Sequence, residues 1–177
     1  MDYPHKNIRL SSANYLGQRW YFVTFCCDRR RRVFTSGKRA RWFIDALRHE
    51  AFAHRFVIYA YCAMPDHVHF LAHGLEASSD LLKFVSSLKQ RTGFEFEKQM
   101  GFSLWQKKFY DRILRPRDPV LAAAVYIWMN PVRKGICRNA KAYPYSGSFV
   151  LDWATVNLPE EEWTPPWKTV TRPRQPA

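Results

Sequence analysis

Two histidines separated by one residue are the first candidates for chemistry in this chain. His67 and His69 lie in the segment 63–72, among mostly apolar side chains. Successive side chains of a β-strand project to opposite faces, so a strand here would place both imidazoles on one face. They would then be close enough to bind one metal ion. The pair alone is weak support, because two polar side chains on a half-exposed strand give the same pattern.

A tyrosine and an asparagine four residues apart form the second candidate. Tyr126 and Asn130 belong to the segment 124–135, and a helix would place them on one face, a turn from each other. The ordinary interpretation is that Tyr126 is a core residue of an aromatic-rich helix and that Asn130, which precedes Pro131, ends that helix. The spacing alone does not separate a catalytic pair from a structural one.

The strands that would carry the histidines follow from runs of aromatic and β-branched residues. A hairpin is predicted from a strand over 56–63, a tight turn at 64–66 and a strand over 67–73. A strand over 20–26, buried on both faces, and a ragged one over 104–114 complete the predicted set. Both histidines therefore fall on the second strand of a hairpin.

Three helices are predicted between and after these strands. One begins near Ser36, a second is capped by residues 78–80, and a third begins at Asp118 and Pro119. Asp is a good helix cap and Pro suits the first helical position. The hydrophobic stripes of the first two helices are expected to face the core, and the third helix would carry Tyr126.

The resulting order, β-α-β-β-α-β-α, predicts an α+β fold. It is the order of a ferredoxin-like split βαβ antiparallel sheet with an added last helix, here the one that holds the candidate nucleophile. A length of 177 residues suits one domain with extensions. We expect an irregular lead-in over 1–18, the domain over 19–153, and a Pro-rich basic tail over 154–177.

Charge predicts the class of partner. The chain has 28 Lys and Arg against 15 Asp and Glu, and this net charge of +13 favours a polyanion, with nucleic acid as the leading partner. A run of basic residues is often only a solvated loop, but it can also bind phosphates. The candidate DNA-binding residues are Arg29, Arg30, Arg31, Arg32, Lys107, Lys108, Arg112 and Arg115.

No membrane association is expected. The longest apolar run, 120–129, is much shorter than the ~20 residues that cross a bilayer. The polar N-terminus leads into no apolar signal core, so the protein is expected in the cytoplasm. The 4 cysteines lack paired metal spacing and are expected to be reduced and mostly packed.

Three segments stand in the order and context of a known family. They are Met64-Pro65-Asp66-His67-Val68-His69, Leu104-Trp105-Gln106-Lys107-Lys108, and Tyr126-Ile127-Trp128-Met129-Asn130-Pro131-Val132-Arg133-Lys134-Gly135. With them the chain resembles the REP-associated tyrosine transposases, within the HUH single-tyrosine transposases, over residues 15–150. Their order and strand-then-helix context are together more specific than either motif alone.

The resemblance implies roles, a cofactor and a substrate. His67 and His69 would be metal ligands, Tyr126 the nucleophile, and Asn130 a third ligand. The implied cofactor is Mg²⁺ or Mn²⁺, and the implied substrate is a single-stranded DNA hairpin of the REP type with a flanking guide sequence. The implied assembly is a monomer or a homodimer, because the REP-associated kind can act as monomers whereas related insertion-sequence transposases pair as dimers that exchange catalytic helices.

The implied activity is a metal-dependent single-stranded DNA endonuclease and strand transferase of DNA transposition and recombination. A 5′-phosphotyrosine keeps the bond energy of the cut strand, so a later 3′-hydroxyl can displace it. A free phenol has a pKa of about 10, so a nearby cation would ease its ionisation. Two alternatives stay open: a non-catalytic, basic, ferredoxin-like nucleic-acid binder, and an HUH nuclease of plasmid replication or relaxation.

Overall fold

A five-stranded antiparallel sheet positions the candidate residues. A computed structural model describes residues 11–159 of the chain. The strands, in chain order, are β1 (Trp20–Cys26), β2 (Phe56–Met64), β3 (His67–Gly74), β4 (Tyr110–Ile113) and β5 (Ser146–Gly147). Their order across the sheet is β4-β1-β3-β2-β5, and each neighbouring pair is antiparallel.

Four helices cover the two faces of this sheet. They are α1 (Gly37–Ala53), α2 (Leu81–Met100), α3 (Val120–Trp128) and α4 (Asn130–Arg133). The helix α1 connects β1 to β2, and β3 pairs with both of those strands. The strands β1 and β2 are thus parallel to each other with β3 inserted between them, which is the split βαβ arrangement. The predicted fold class is confirmed.

Side-chain alternation divides the core into two layers. Val68 and Phe70 of β3 pack in the cluster that includes α1 and α2, whereas Leu71 packs in the cluster that includes α3. His67 and His69 alternate with Val68 and Phe70, so both imidazoles lie on the α3 face. Both faces of β3 are buried, because helices lie over each of them.

The predicted cap of α2 is confirmed, whereas that of α3 is wrong. Asp80 accepts hydrogen bonds from the backbone N–H groups of Leu82 and Lys83 at 2.9 and 3.1 Å. The cap of α3 is Pro119, while the Asp118 carboxylate accepts instead from the Arg112 guanidinium at 3.2 Å and from the Arg115 backbone N–H at 3.0 Å. Asp118 therefore closes the turn before the helix, where its charge meets a cationic neighbour.

The predicted strand over 104–114 is shorter in the structure, and β5 was not predicted. Leu104 and Trp105 are buried, but Lys89 Nζ donates to the carbonyl oxygens of Gln106 and Lys107, so these acceptors bond to a side chain rather than to a neighbouring strand. The two residues of β5 pair with β2 in a segment that has no alternating pattern. Contacts with residues distant in sequence therefore explain both the shorter β4 and the presence of β5.

Contacts with the core extend beyond both ends of the predicted domain 19–153. Within the lead-in 1–18, residues 12–15 form a 3₁₀ turn and Tyr15 is buried, although residues 1–10 lie outside the described part. At the other end, Val156 and Leu158 pack against the α3 layer. The rest of the predicted tail, from residue 160 onward, lies outside the described residues. All four cysteines are free thiols. Over the range 11–159, no helix is long and apolar enough to span a bilayer.

Candidate active site on the α3 face of the sheet

The two histidines form a close pair on the sheet surface below α3. Their ring centroids are 4.7 Å apart with an interplanar angle of 84°, and their exposed fractions are 8% for His67 and 9% for His69. The predicted shared face is confirmed. The role of these residues as metal ligands stays a prediction.

The Nδ1 atom of each ring is held by a neighbouring side chain. His67 Nδ1 donates to the Asp66 carboxylate at 2.6 Å, and His69 Nδ1 shares a hydrogen bond of 2.7 Å with the Thr24 hydroxyl. A carboxylate only accepts, so the proton of neutral His67 lies on Nδ1 and the lone pair on Nε2. The Thr24 hydroxyl can accept as well, which permits the same tautomer at His69. This is the usual arrangement of imidazoles that bind a metal through Nε2.

Burial keeps both imidazoles neutral. It lowers the pKa of His69 well below the usual value; a proton on His67 would lower it further, and the charge of Arg133 does so as well. Burial also lowers the pKa of His67, against the opposing effect of the Asp66 carboxylate. Metal binding requires neutral imidazole, so the pair is in the competent form at neutral pH. Two neutral imidazoles with oriented Nε2 atoms fit a divalent cation.

Tyr126 lies next to this pair. The helix α3 places its half-buried ring 6.5 Å from the His69 ring and 5.8 Å from the Phe22 ring, measured between centroids. A cavity of about 290 Å³ opens beside these residues. It is lined by Phe22, Thr24, His69, Tyr110, Arg112, Leu114, Asp118, Pro119, Ala123 and Tyr126. The structure thus brings the predicted nucleophile to the predicted metal site.

Asn130 is buried, and its amide has a structural task. Its Nδ2 donates to the carbonyl oxygens of Tyr126 at 2.9 Å and of Ile127 at 3.3 Å. Pro131 has no N–H to offer the helix, so the amide supplies donors where the backbone cannot. This explains why the single predicted helix is divided at Met129 into α3 and α4. The role of Asn130 as a metal ligand stays a prediction.

Within residues 11–159, no group of three His, Cys, Asp or Glu side chains could hold a metal ion. The site therefore offers two imidazoles from this set, and the remaining ligands would be oxygens of an amide, a phosphate or water. Such an open set suits a catalytic site better than a closed structural one.

Arg133 belongs to the site but was not singled out from the sequence. Its NH2 donates to the Tyr126 hydroxyl at 3.3 Å, and its Cζ lies 4.2 Å from the centroid of the Tyr126 ring. A spacing of seven residues is two helical turns, which puts the two side chains on one face. That periodicity was the available signal, but Pro131 weakened it, because a proline within a helical pattern predicts that the helix ends before it.

The arginine loop, which comprises Arg29, Arg30, Arg31 and Arg32 after β1, contacts the turn that precedes the histidine pair. The Cys27 backbone N–H donates to the Asp66 carbonyl oxygen at 2.9 Å. Arg30 pairs with the Asp66 carboxylate at 3.4 Å and Arg31 with Asp28 at 2.9 Å, so these two charges have internal partners. Arg29, Arg30 and Arg32 are all exposed, and Arg29 Nε lies 3.9 Å from the Asp28 carboxylate, the longest of the three ion contacts. Because Arg29 has only this long contact and Arg32 forms no ion pair within residues 11–159, these two are better placed than Arg30 and Arg31 to bind a phosphate.

The other basic candidates are spread along the sheet. Lys107 and Lys108 are exposed next to the arginine loop, because the Gln106 backbone N–H bonds to the Cys26 carbonyl oxygen at 2.9 Å. Arg112 lines the cavity and pairs with Asp118. Arg115 lies near Trp20, at the other end of β1 and about 20 Å along the strand. The predicted residues do not form one patch.

Comparisons with known proteins identify the family of this chain. Residues 16–115 match the family model of IS200-like transposases. A REP-associated tyrosine transposase of Escherichia coli is 24% identical over 151 residues, which cover 78% of this chain and 86% of that protein. A Haemophilus influenzae protein, assigned provisionally to the same kind, is 26% identical over 117 residues, 60% of this chain and 66% of its own length.

A solved structure of a REP-associated tyrosine transposase bound to a REP hairpin has the same fold. The TM-score is 0.65 at 20% sequence identity, and the match covers 85% of this chain and 91% of that one. At this identity the likeness establishes the arrangement of strands and helices.

Proposed function

Because the chain belongs to the family of IS200-like transposases, we propose that it is a metal-dependent endonuclease and strand transferase of single-stranded DNA. It would cut next to a REP-type hairpin and form a 5′-phosphotyrosine at Tyr126. One observation carries the proposal: the Tyr126 ring lies 6.5 Å from the ring of His69, whose partner His67 is 4.7 Å away. The site thus combines a phenol with two neutral imidazoles whose Nδ1 atoms are hydrogen-bonded to Asp66 and Thr24.

The residues that would hold the cation are His67 and His69, through Nε2, with the side-chain oxygen of Asn130 as the proposed third ligand. Bound Mg²⁺ or Mn²⁺ would neutralise charge on the phosphate and ease departure of the 3′ oxygen. Thr24 and Asp66 support this use, since they fix the orientation of the two rings.

The cleavage step exchanges one phosphoester for another. The Oη of Tyr126 bonds to phosphorus, the bond from phosphorus to the 3′ oxygen breaks, and the phenolic proton is given up as the strand end becomes a 3′-hydroxyl. The ring contacts of Tyr126 with Phe22 and Arg133 hold the phenol in the wall of the cavity. Such fixed placement of a nucleophile contributes much of the rate of a displacement.

Support for a hairpin substrate comes from the similar proteins and from charge. The E. coli relative is a REP-associated transposase, and the solved structure of similar fold is bound to a REP hairpin. The exposed Arg29 and Arg32 belong to the same loop as Arg30, which pairs with Asp66, the residue before His67. The enzyme would act on DNA in the cytoplasm. Since Tyr126 meets the histidines of its own chain, a monomer would suffice for cleavage.

The test is incubation of the protein with single-stranded hairpins from its own genome, with and without Mg²⁺ or Mn²⁺. We expect a covalent protein–DNA adduct and a new 3′-hydroxyl end only when metal is present. Binding of the hairpin without an adduct under any metal would instead identify a non-catalytic nucleic-acid binder. Cleavage of a plasmid origin, but of no genomic hairpin, would identify a replication or relaxation nuclease.

A further inference from the structure

One guanidinium nitrogen beside Tyr126 is buried without a hydrogen-bond partner. It is NH1 of Arg133, and the described residues supply no acceptor for it. Its neighbour NH2 donates to the Tyr126 hydroxyl at 3.3 Å. From this geometry we infer that Arg133 binds a non-bridging oxygen of the scissile phosphate through NH1 while NH2 holds the nucleophile. The inference deepens the proposed function and rests on it.

The shape of the guanidinium fits this double task. Arginine presents parallel N–H groups in a planar fork whose spacing matches two oxygens of a phosphate. When Tyr126 attacks, its Oη becomes one oxygen of the phosphotyrosine, and the non-bridging oxygens lie next to it. A fork that already holds Oη through NH2 therefore has its second donor beside those oxygens. Lysine, a point donor, could not bridge the two positions in this way.

The surrounding charge also calls for an anion. The positive charges of Arg133 and Arg30 both act on His69, and those of Arg30 and Lys134 act on His67. The nearby carboxylate, Asp66, is bonded to His67 and Arg30. Within residues 11–159, Arg133 forms no ion pair with an acidic side chain. A phosphate would compensate this excess of positive charge.

Stacking on the Tyr126 ring is the competing explanation for Arg133. The guanidinium carbon lies 4.2 Å from the ring centroid, which is a cation–π contact. Stacking accounts for the position of the side chain but leaves the buried NH1 unsatisfied, and an unsatisfied buried donor of a charged group is costly. A ligand oxygen at NH1 explains both features.

Stereospecific sulfur substitution tests the contact. The experiment uses hairpins that carry sulfur at one or the other non-bridging position of the scissile phosphate. Their cleavage rates in Mn²⁺ are measured for the wild type, Arg133→Gln and Arg133→Lys. Because sulfur is a weak acceptor, we expect one diastereomer to slow the wild type by about 10- to 100-fold. In both variants that sulfur effect should fall to about onefold, while the effect of the other diastereomer stays. If both effects keep their wild-type size in the variants, Arg133 makes no phosphate contact.

Arg138→Gln is the matched control. Arg138 is exposed and lies five residues after Arg133, and its replacement by Gln removes the same charge. It should keep both sulfur effects at their wild-type size. If it lost the same effect as Arg133→Gln, the loss would reflect net charge alone, and the inference would be overturned.

A second measurement needs no cleavage and so separates this inference from the proposed function. The ¹⁹F signal of 3-fluorotyrosine at position 126 is followed in the folded protein as inorganic phosphate is added. Phosphate should shift the signal in the wild type and in Arg138→Gln, and the shift should be lost in Arg133→Gln and reduced in Arg133→Lys. An equal shift in Arg133→Gln would refute the contact even if the protein cut no hairpin. Absence of any adduct, with the ¹⁹F result as expected, would remove the proposed function and leave a phosphate site.

Discussion

The side-chain Nδ2 of Asn130 donates a 2.9 Å hydrogen bond to the backbone carbonyl oxygen of Tyr126. A side-chain hydrogen bond therefore joins the two motif residues across the junction between α3 and α4 at Met129. An asparagine in this place supports the turn that carries the nucleophile, whether or not its oxygen also binds a cation. Its substitution should thus affect stability before it affects chemistry.

We expect Asn130→Ala to lower the free energy of unfolding by about 1–3 kcal/mol, because two helix carbonyls lose their donor. Asn130→Asp should destabilise at least as much, since a carboxylate would face those carbonyls, although it keeps an oxygen for a metal. Urea unfolding measures both, with the exposed Asn157→Ala as control. A stable Asn130→Asp protein would show that the donor is not needed.

A second prediction concerns the hydroxyl behind His69. Thr24→Val keeps the shape of the side chain but removes the 2.7 Å hydrogen bond to Nδ1. Loss of such a supporting contact costs about 10- to 100-fold in metal affinity, so Mn²⁺ should bind more weakly by this factor in calorimetry. Thr155→Val, on the exposed surface, is the control. Equal Mn²⁺ affinity in Thr24→Val and the wild type would mean that the ring needs no such support.

Local pattern was sufficient to predict the site in part. The strand over 20–26 has the predicted bounds, and the shared face of His67 and His69 follows from alternation, which is a property of a few neighbouring residues. The hydrogen bond between Thr24 and His69 was not predictable, because it depends on the pairing register of two strands 45 residues apart. Register is decided by the packed sheet as a whole.

Dependence on distant contacts also explains why β5 and the contact between Arg133 and Tyr126 could not be predicted. The strand β5 has two residues and no pattern, and it is held by β2 and by Trp128 Nε1, which donates to the Gly147 carbonyl oxygen at 2.8 Å. The contact between Arg133 and Tyr126 crosses the break at Met129 between α3 and α4, where helical periodicity no longer guarantees a shared face. Contacts of this kind belong to tertiary structure.

Ion pairing among Arg29, Arg30, Arg31 and Arg32 predicts which of these charges bind DNA. Arg29 has only a 3.9 Å contact with Asp28, and Arg32 forms no ion pair within residues 11–159, whereas Arg30 and Arg31 have pairs of 3.4 and 2.9 Å. Joint replacement of Arg29 and Arg32 by Ala should therefore weaken hairpin binding. The log–log slope of affinity against salt should flatten by up to about 0.7 for each lost contact with a single strand. The control replaces Lys83 and Lys98, both exposed on α2, by Ala. If the two double variants have the same slope, the loop lies outside the interface.

Acid stability should depend on Glu50, whose buried carboxylate joins α1 to α2. Burial would raise the pKa of Glu50, but hydrogen bonds from Ser87 at 2.6 Å and Arg91 at 3.0 Å, together with one from His49, lower it overall. A carboxyl whose pKa is lower in the folded state stabilises the protein above its ordinary value of about 4.3. That contribution is lost as the pH falls through the folded value.

Glu50→Gln should therefore be less stable than the wild type by about 1–3 kcal/mol at pH 7, and the difference should shrink as the pH falls below about 4. Thermal unfolding followed by circular dichroism at a series of pH values measures it. Glu97→Gln, on an exposed turn of α2, should show no such difference. A gap between Glu50→Gln and wild type that is constant with pH would show that ionisation of Glu50 does not contribute.

The nucleophile itself can be separated from its neighbours by one oxygen atom. Tyr126→Phe keeps the ring contacts with Phe22 and His69 and loses the hydroxyl, so stability should change by no more than about 1 kcal/mol, while the adduct disappears. The main rival is Tyr110, which lines the same cavity and is 59% exposed. Tyr143 is a poor rival, because its buried hydroxyl donates to the Ala63 carbonyl oxygen and burial raises its pKa.

Tyr110→Phe and Tyr143→Phe should both still form the adduct with metal present. Proteolysis of the wild-type adduct, followed by sequencing of the peptide that carries the nucleotide, identifies the residue directly. The label should be on Tyr126, where the geometry places a phenol against the His69 ring and under the Arg133 guanidinium. A label on Tyr110 would mean that the strand edge, and not α3, supplies the attacking oxygen, and the adduct would then survive in Tyr126→Phe.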